Sequence, residues 1–111
     1  MSSIDIHTLL GKGSRFEGRL VFDGAVRIEG ELRGEVRSED TLIVAEGAEL
    51  HAEIEVGTFI MRGGLLVGNV RARGAIELFA PARVVGNLHA PTITIEKGVE
   101  VEGLCKMGPL E

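Results

Sequence analysis

Short stretches of alternating apolar and polar residues run along almost the whole chain. In residues 26–29 and 93–96, valine or isoleucine occupies every second position, and arginine, threonine or glutamate lies between them. A period of two is typical of a β-strand that buries one of its faces. No segment shows the i, i+3, i+4, i+7 spacing of an amphipathic helix, so the pattern predicts an all-β chain of short strands.

The alternating segments belong to an internal repeat. A glycine or alanine, one variable residue and an aliphatic residue recur from Gly18-Arg19-Leu20 onward, and a sixth copy, Gly103-Leu104, lacks the variable residue. The aliphatic members lie alternately 16 and 18 residues apart, at Leu20, Val36, Ile54, Val70, Leu88 and Leu104. Two further apolar columns keep nearly the same spacing: Phe16, Leu32, Leu50, Leu66, Val84 and Val101, and Val26, Leu42, Ile60, Ile76 and Ile93.

A repeat of this length predicts a solenoid. A unit of about 17 residues holding three short strands buries its apolar face only by stacking on the next unit, like residue above like. We therefore predict a single-domain, three-sided parallel β-helix of about six coils over residues 14–104, with glycines 18, 34, 68 and 86 at equivalent corners. Residues 1–13 and 105–111 are predicted to be short tails, and residues 108–111 resemble a cloning remnant.

The two ends of such a rod are its most reactive surfaces. Each end presents unpaired backbone N–H and C=O groups over an apolar core, and no capping element is evident in the sequence. The predicted outcome is end-to-end self-association. The expected contact residues are Phe16, Leu20, Phe22 and Leu32 at the N-terminal end, and Ile95, Val101, Leu104 and Met107 at the C-terminal end.

Composition excludes several other functions. The 111 residues include 16 glycines and four phenylalanines but neither tryptophan nor tyrosine, so aromatic platforms for sugars or unpaired bases are lacking. The net charge is −5 and the basic residues are scattered, which argues against nucleic acid as a partner. One cysteine and no recognisable signal peptide predict a cytoplasmic location.

No group of residues predicts catalysis or a bound cofactor. The segment Gly11-Lys12-Gly13-Ser14 lacks the upstream glycine of a phosphate loop. Of the three histidines (His7, His51 and His89), the last two follow columns on different faces, so they are not expected to converge on a metal. Cys105 is expected to be a buried small apolar residue. We predict no catalytic residue, no metal and no cofactor.

One pair of outward positions predicts a contact surface. In the strand that contains Val26 and Ile28, the middle residues of successive coils are expected to be Arg27, Ile43, Met61, Glu77 and Thr94. Ile43 and Met61 would then be adjacent and exposed, with Phe59 and Phe79 nearby. The prediction is a patch for lateral contacts or partner docking.

Three segments resemble the bactofilins, the polymer-forming bacterial cytoskeletal proteins. Residues 10–20 (LGKGSRFEGRL) are similar to the opening of that family, residues 26–36 (VRIEGELRGEV) to its second coil, and residues 101–107 (VEGLCKM) to its close. The resemblance covers about residues 9–107. It implies a right-handed β-helix that assembles without nucleotide into non-polar filaments, in which like ends meet.

The resemblance also carries expectations about partners. Bactofilins scaffold cell shape or localise envelope and polarity proteins, and many bear an N-terminal membrane-targeting segment. Ile4, Ile6, Leu9 and Leu10 are the residues that can contribute to weak binding at the inner face of the cytoplasmic membrane, although Asp5 interrupts them.

Two rival functions fit a β-helix less well. A hexapeptide-repeat acyltransferase needs a strict six-residue pattern, which coils of 16 and 18 residues do not keep, and only His51 or His89 could be its catalytic base. A carbohydrate-binding β-helix needs the aromatic platform that this chain lacks.

Overall fold

The computed structural model describes residues 7–108, with side chains from residue 11 onward, and every regular element in this range is a β-strand. All strand pairs are parallel. The strands are β1 (His7–Leu10), β2 (Arg15–Val21), β3 (Val26–Ile28), β4 (Glu31–Arg37), β5 (Thr41–Val44), β6 (Glu49–Met61), β7 (Leu65–Val67), β8 (Val70–Leu78), β9 (Arg83–Val85), β10 (Leu88–Ala90), β11 (Thr92–Ile95), β12 (Glu100–Glu102) and β13 (Cys105–Met107).

The strands form three flat faces, which confirms the predicted three-sided parallel β-helix. The inward residues of face A are Phe16, Leu32, Leu50, Leu66, Val84 and Val101. Those of face B are Leu20, Val36, Ile54, Val70, Leu88 and Cys105. Face C starts with β1 and continues through Val26, Leu42, Phe59, Ile76 and Ile93. Each face thus has six stacked rungs.

Glycine makes the corner between faces A and B possible. At Gly86 the backbone φ is 144°, in a region that favours glycine, and a Cβ there would collide with the carbonyl oxygen of Gly68 in the coil below. A Cβ on Gly34 would collide in the same way with the carbonyl oxygen of Gly18, and the backbone φ of Gly34 is 131°. The predicted corner glycines are confirmed, and neighbouring coils approach there backbone to backbone.

Aliphatic side chains and one aromatic ring fill the interior. Leu32, Leu50, Leu66 and Phe59 are fully buried, and their contacts run continuously from the second coil to the fifth. Burial of each large apolar side chain contributes about 1.5–3 kcal/mol. In the fourth and fifth coils the corner between faces B and C is filled by alanines, Ala72 and Ala90, which are also fully buried.

The predicted register is wrong in the third coil of face C. Leu42 pairs with Phe59 rather than Ile60, and Val44 pairs with Met61. The preceding corner is one residue shorter here, because Gly57 alone connects the two faces. Its N–H and that of Thr58 both donate to the Asp40 carbonyl oxygen, at 3.0 and 3.1 Å. The shorter corner turns Phe59 and Met61 inward.

The predicted register is also wrong by one residue in the last coil. Leu88 pairs with Cys105, so the sixth copy of the repeat is Gly103-Leu104-Cys105, with Leu104 as its variable residue. Leu104 therefore occupies an outward corner position and is 74% exposed.

The solenoid extends past the predicted limits of residues 14 and 104. β1 already pairs with β3 on face C, and β13 adds a last rung to face B. The predicted N-terminal tail is therefore shorter than 13 residues, and Leu9 and Leu10 belong to a strand. Ile4 and Ile6, together with residues 109–111 of the predicted cloning remnant, lie outside the described residues.

Candidate functional site: the two ends of the rod

The N-terminal end is built from β2, whose outer edge has no further rung on faces A and B within the described range. Phe16, Leu20 and Phe22 pack against the core but remain partly exposed, because no described strand lies above them on these two faces. Leu32, predicted as a fourth contact residue, is fully buried under Phe16 in the second coil. This end therefore offers three of the four predicted side chains.

The C-terminal end is formed by β11, β12 and β13. Ile95 and Met107 are exposed large apolar residues, and Val101 is partly buried. Their inward neighbours one rung below, such as Leu78 and Val84, are fully buried. The difference in exposure follows from position, since no strand of the described range lies beyond these residues.

Leu104 also lies at this end, but it points sideways instead of inward. Its N–H donates to Asn87 Oδ1 at 3.1 Å, and the Asn87 N–H donates to Asn69 Oδ1 at 3.1 Å. Asn69 Nδ2 in turn donates to Glu53 at 3.2 Å. These side-chain hydrogen bonds link the last coil to the coils below. Leu104 occupies the next position of the same column, after Asn87.

Ion pairs tie each terminal rung to the rod. Arg15 Nε donates to Glu31 Oε1 at 2.8 Å, and Arg19 lies 3.1 Å from Glu35. The hydrogen bond from Arg15 is the main cause of a lowered pKa of Glu31, and it raises the pKa of Arg15. At the other end Arg83 lies 3.5 Å from Glu100 in β12. Both terminal rungs are therefore held electrostatically as well as by backbone hydrogen bonds.

The predicted exposed patch on face C is wrong. Met61 is fully buried in the core and Ile43 is only 8% exposed. Ile60, not Met61, is the neighbour of Ile43 in the outward column. Phe79 is covered by the guanidinium of Arg62, whose Cζ lies 5.7 Å from the ring centroid.

The histidines and the Gly11–Ser14 segment do not form a metal site or a phosphate loop in the described range. No three His, Cys, Asp or Glu residues converge as metal ligands between residues 11 and 108. His51 is paired with Glu49 at 3.2 Å on face A, whereas His89 lies on face B. The segment Gly11-Lys12-Gly13-Ser14 leads into strand β2, with no helix to bind a phosphate. No helix in the described range is long and apolar enough to cross a membrane.

Cys105, like Leu104, does not occupy the position that the sequence predicts. It was expected to be buried, and it is exposed as a free thiol on the last rung of face B. The signal was present in the sequence, because Gly103-Leu104-Cys105 completes the three-residue step once cysteine is counted as apolar.

Three faces of parallel strands around an apolar interior, with end strands that pair on one side only within residues 7–108, define a parallel β-solenoid. The family model of the bactofilins, described as polymer-forming cytoskeletal, matches residues 8–106. The chain therefore belongs to the bactofilin family, which is a family of structural cytoskeletal proteins.

Two curated relatives agree with this assignment. The chain is 33% identical over 110 residues to Bactofilin BacP of Myxococcus xanthus (strain DK1622), covering 99% of this chain and 45% of BacP. It is 29% identical over 97 residues to Bactofilin BacO of the same organism, covering 87% of this chain and 76% of BacO. The chain thus spans less than half of the length of BacP. No solved structure matches the chain.

Proposed function

We propose that this chain polymerises end to end, without nucleotide, into non-polar filaments that scaffold cell shape or localise other proteins. The observation that carries the proposal is the exposure of Ile95, Leu104 and Met107 at one end of the rod. Large exposed apolar residues beside unpaired strand edges favour contact with another chain. Membership of a polymer-forming family supports the same conclusion.

Contact between like ends follows from the resemblance to bactofilins. Two N-terminal ends meet in one junction and two C-terminal ends in the next, so each junction is a two-fold interface. The filament then has no overall direction. No step in this assembly requires nucleotide hydrolysis.

The proposed location is the cytoplasm, with weak attachment to the inner face of the cytoplasmic membrane through the N-terminal segment. Of the residues expected to contribute, Leu9 and Leu10 lie in β1, so Ile4 and Ile6 carry this part of the proposal. Envelope or polarity proteins are the proposed partners of the filament.

Negative-stain microscopy of the purified chain without nucleotide tests the proposal. Long filaments are expected, and compact trimers would point instead to the acyltransferase alternative. Val101→Arg places a charge on the exposed end of the core, where it must be desolvated in a junction. This variant should stay folded and form only short species.

Val85→Arg is the matched control. Val85 belongs to the fifth rung of the same face, one rung before Val101. Its register position points outward, away from the core and away from the exposed end. Filaments of normal length are expected from this variant. Long filaments from Val101→Arg would overturn the end-to-end proposal.

A further inference from the structure

A groove runs along the outer surface of face B over its last three rungs. Its volume of about 530 Å³ lies within the roughly 300–1,000 Å³ of sites that bind small molecules. The lining consists mainly of two outward columns from consecutive rungs: Arg71, His89 and Lys106 in one, and Asn69, Asn87 and Leu104 in the other. The first column therefore presents a nitrogen-bearing side chain on each of the three rungs.

The two cations of this groove are not neutralised within the described part of the chain. Arg71 and Lys106 are exposed, and neither forms an ion pair shorter than 4 Å within residues 11–108. The carboxylate in register with Arg71, that of Glu55, is already paired with Arg37 at 3.4 Å. The carboxylate that lines the groove, that of Glu53, accepts a hydrogen bond from a neighbouring amide at 3.2 Å. Two positive charges are therefore available to an anion.

Between the two cations lies a ring nitrogen that the fold leaves unpaired. His89 is in register with Arg71 on one side and with Lys106 on the other. Its Nε2 is buried and forms no hydrogen bond with any described residue. Since buried polar atoms are nearly always hydrogen-bonded, this nitrogen points to a partner outside the described chain. An oxygen of a bound anion, admitted by a small movement of the long Arg71 or Lys106 side chain, can accept a hydrogen bond from Nε2.

The spacing of these groups selects a short ligand. Rungs lie about 4.8 Å apart, so the backbone positions of Arg71 and Lys106 are roughly 10 Å apart along the rod. On the side of Arg71 away from Lys106, the next outward residues are Glu53 and Glu55, so a longer polyanion would meet like charge. A guanidinium fork and an ammonium group are both well suited to hold phosphoryl oxygens. We infer that this groove binds a short oligophosphate, an anion that carries two or more phosphoryl groups within about 10 Å.

The site lies along the side of the rod, next to its C-terminal end. Lys106 belongs to β13, the last rung of face B, which pairs only with β10 within the described range. A bound oligophosphate links Lys106 to Arg71 two rungs below and so holds β13 on the rod. The inference goes beyond end-to-end assembly and does not depend on it, because the binding side chains point outward from face B.

Isothermal titration calorimetry with inorganic tripolyphosphate, in magnesium-free buffer at about 0.05 M salt, tests the inference. One tripolyphosphate should bind per chain, and orthophosphate and citrate should bind about tenfold more weakly, because neither carries several phosphoryl groups. Arg71→Gln/Lys106→Gln should weaken tripolyphosphate binding by about tenfold, since it removes both charged donors. The circular dichroism spectrum of this variant should stay unchanged, because both side chains are exposed.

Arg73→Gln/Lys97→Gln is the matched control, because it removes one exposed arginine and one exposed lysine that lie outside the groove. This variant should bind tripolyphosphate as the unaltered chain does. An equal loss of binding in the control would show attraction to the overall charge only and would overturn the inference. Full binding by Arg71→Gln/Lys106→Gln, or citrate binding as tight as that of tripolyphosphate, would overturn it as well.

A lipid headgroup offers the same phosphate chemistry, and vesicles distinguish the two sources. Sedimentation with vesicles of phosphatidylglycerol and phosphatidylcholine, lost in Arg71→Gln/Lys106→Gln and without any binding of tripolyphosphate, would assign the groove to a membrane surface and overturn the free ligand. The oligophosphate site and end-to-end assembly also fail separately. A chain that binds tripolyphosphate but forms no filaments keeps the site and loses the proposed function, and filaments without tripolyphosphate binding show the reverse.

Discussion

The middle coils and the two end coils of the rod follow the same residue pattern but have different surfaces. In face A, Val84 in the fifth rung is fully buried, whereas Val101 in the sixth is partly exposed. The two residues are identical and occupy the same column. The comparison shows that Val101 owes its exposure to its place on the last described rung and not to a different side chain.

Replacing each of these two valines by aspartate should produce the largest difference in stability between the middle of the rod and its end. Val84→Asp buries a carboxylate without a partner, which costs at least about 4 kcal/mol and removes most of the stability of a small domain. Val101→Asp leaves its carboxylate in contact with water, so the monomer should lose less than about 1.5 kcal/mol. Urea unfolding followed by circular dichroism measures both losses. Equal losses would show that the end is already covered in the free monomer.

The corner glycines provide a second comparison of the same kind. Gly86 and Gly18 have similar φ values of 144° and 135°. A Cβ on Gly86 would collide with the Gly68 carbonyl oxygen, whereas one on Gly18 would meet only the Phe16 ring, at 3.9 Å or more. Gly18→Ala should therefore cost about 1–3 kcal/mol from backbone strain alone. Gly86→Ala should cost more, because the neighbouring backbone must also move.

Thermal unfolding of the two alanine variants at equal protein concentration measures this difference. Tm should fall further for Gly86→Ala than for Gly18→Ala. If Gly18→Ala proved as damaging, a chain would already lie against the N-terminal end, which would indicate a junction rather than a free rung.

Faces A and B were predictable from sequence, apart from the last rung of face B, because the corner between them has constant length. The inward positions are always four residues apart, with three residues between them, from Phe16 to Leu20 and from Val84 to Leu88. Glycine at this corner fixes the backbone path, except in the third coil, where Ala52 takes its place. The inward residues of these two faces can therefore be located by counting along the sequence.

Face C was less predictable because the corner before it changes length. Phe59 and Ile60 are both apolar and adjacent, so hydropathy alone does not decide which one points inward. The decision depends on Gly57, a one-residue corner held by hydrogen bonds to Asp40 in the neighbouring coil. That contact joins two coils and cannot be read from the local sequence. For this reason the sequence predicts Met61 on the outward side, whereas it points inward. Phe16 and Val101 lie on the first and last described rungs of face A, where the repeat places them, and their role as contact residues stays a prediction.

The smallest expected effect concerns the ion pair between Arg15 and Glu31, which links the N-terminal rung to the second coil. The hydrogen bond from Arg15 lowers the pKa of Glu31 below its ordinary value of 4.5. Because the folded pKa is the lower one, the stabilisation is fully present above pH 4.5 and is lost as the pH falls through the folded value. Glu31→Gln should lower Tm slightly at pH 7 and leave it unchanged relative to the unaltered chain at pH values below the folded pKa. Glu39→Gln, an exposed position without an ion pair in residues 11–108, is the control and should show no such difference between the two pH values. A Tm loss for Glu31→Gln that persists in acid would mean that the carboxylate acts through packing instead of charge.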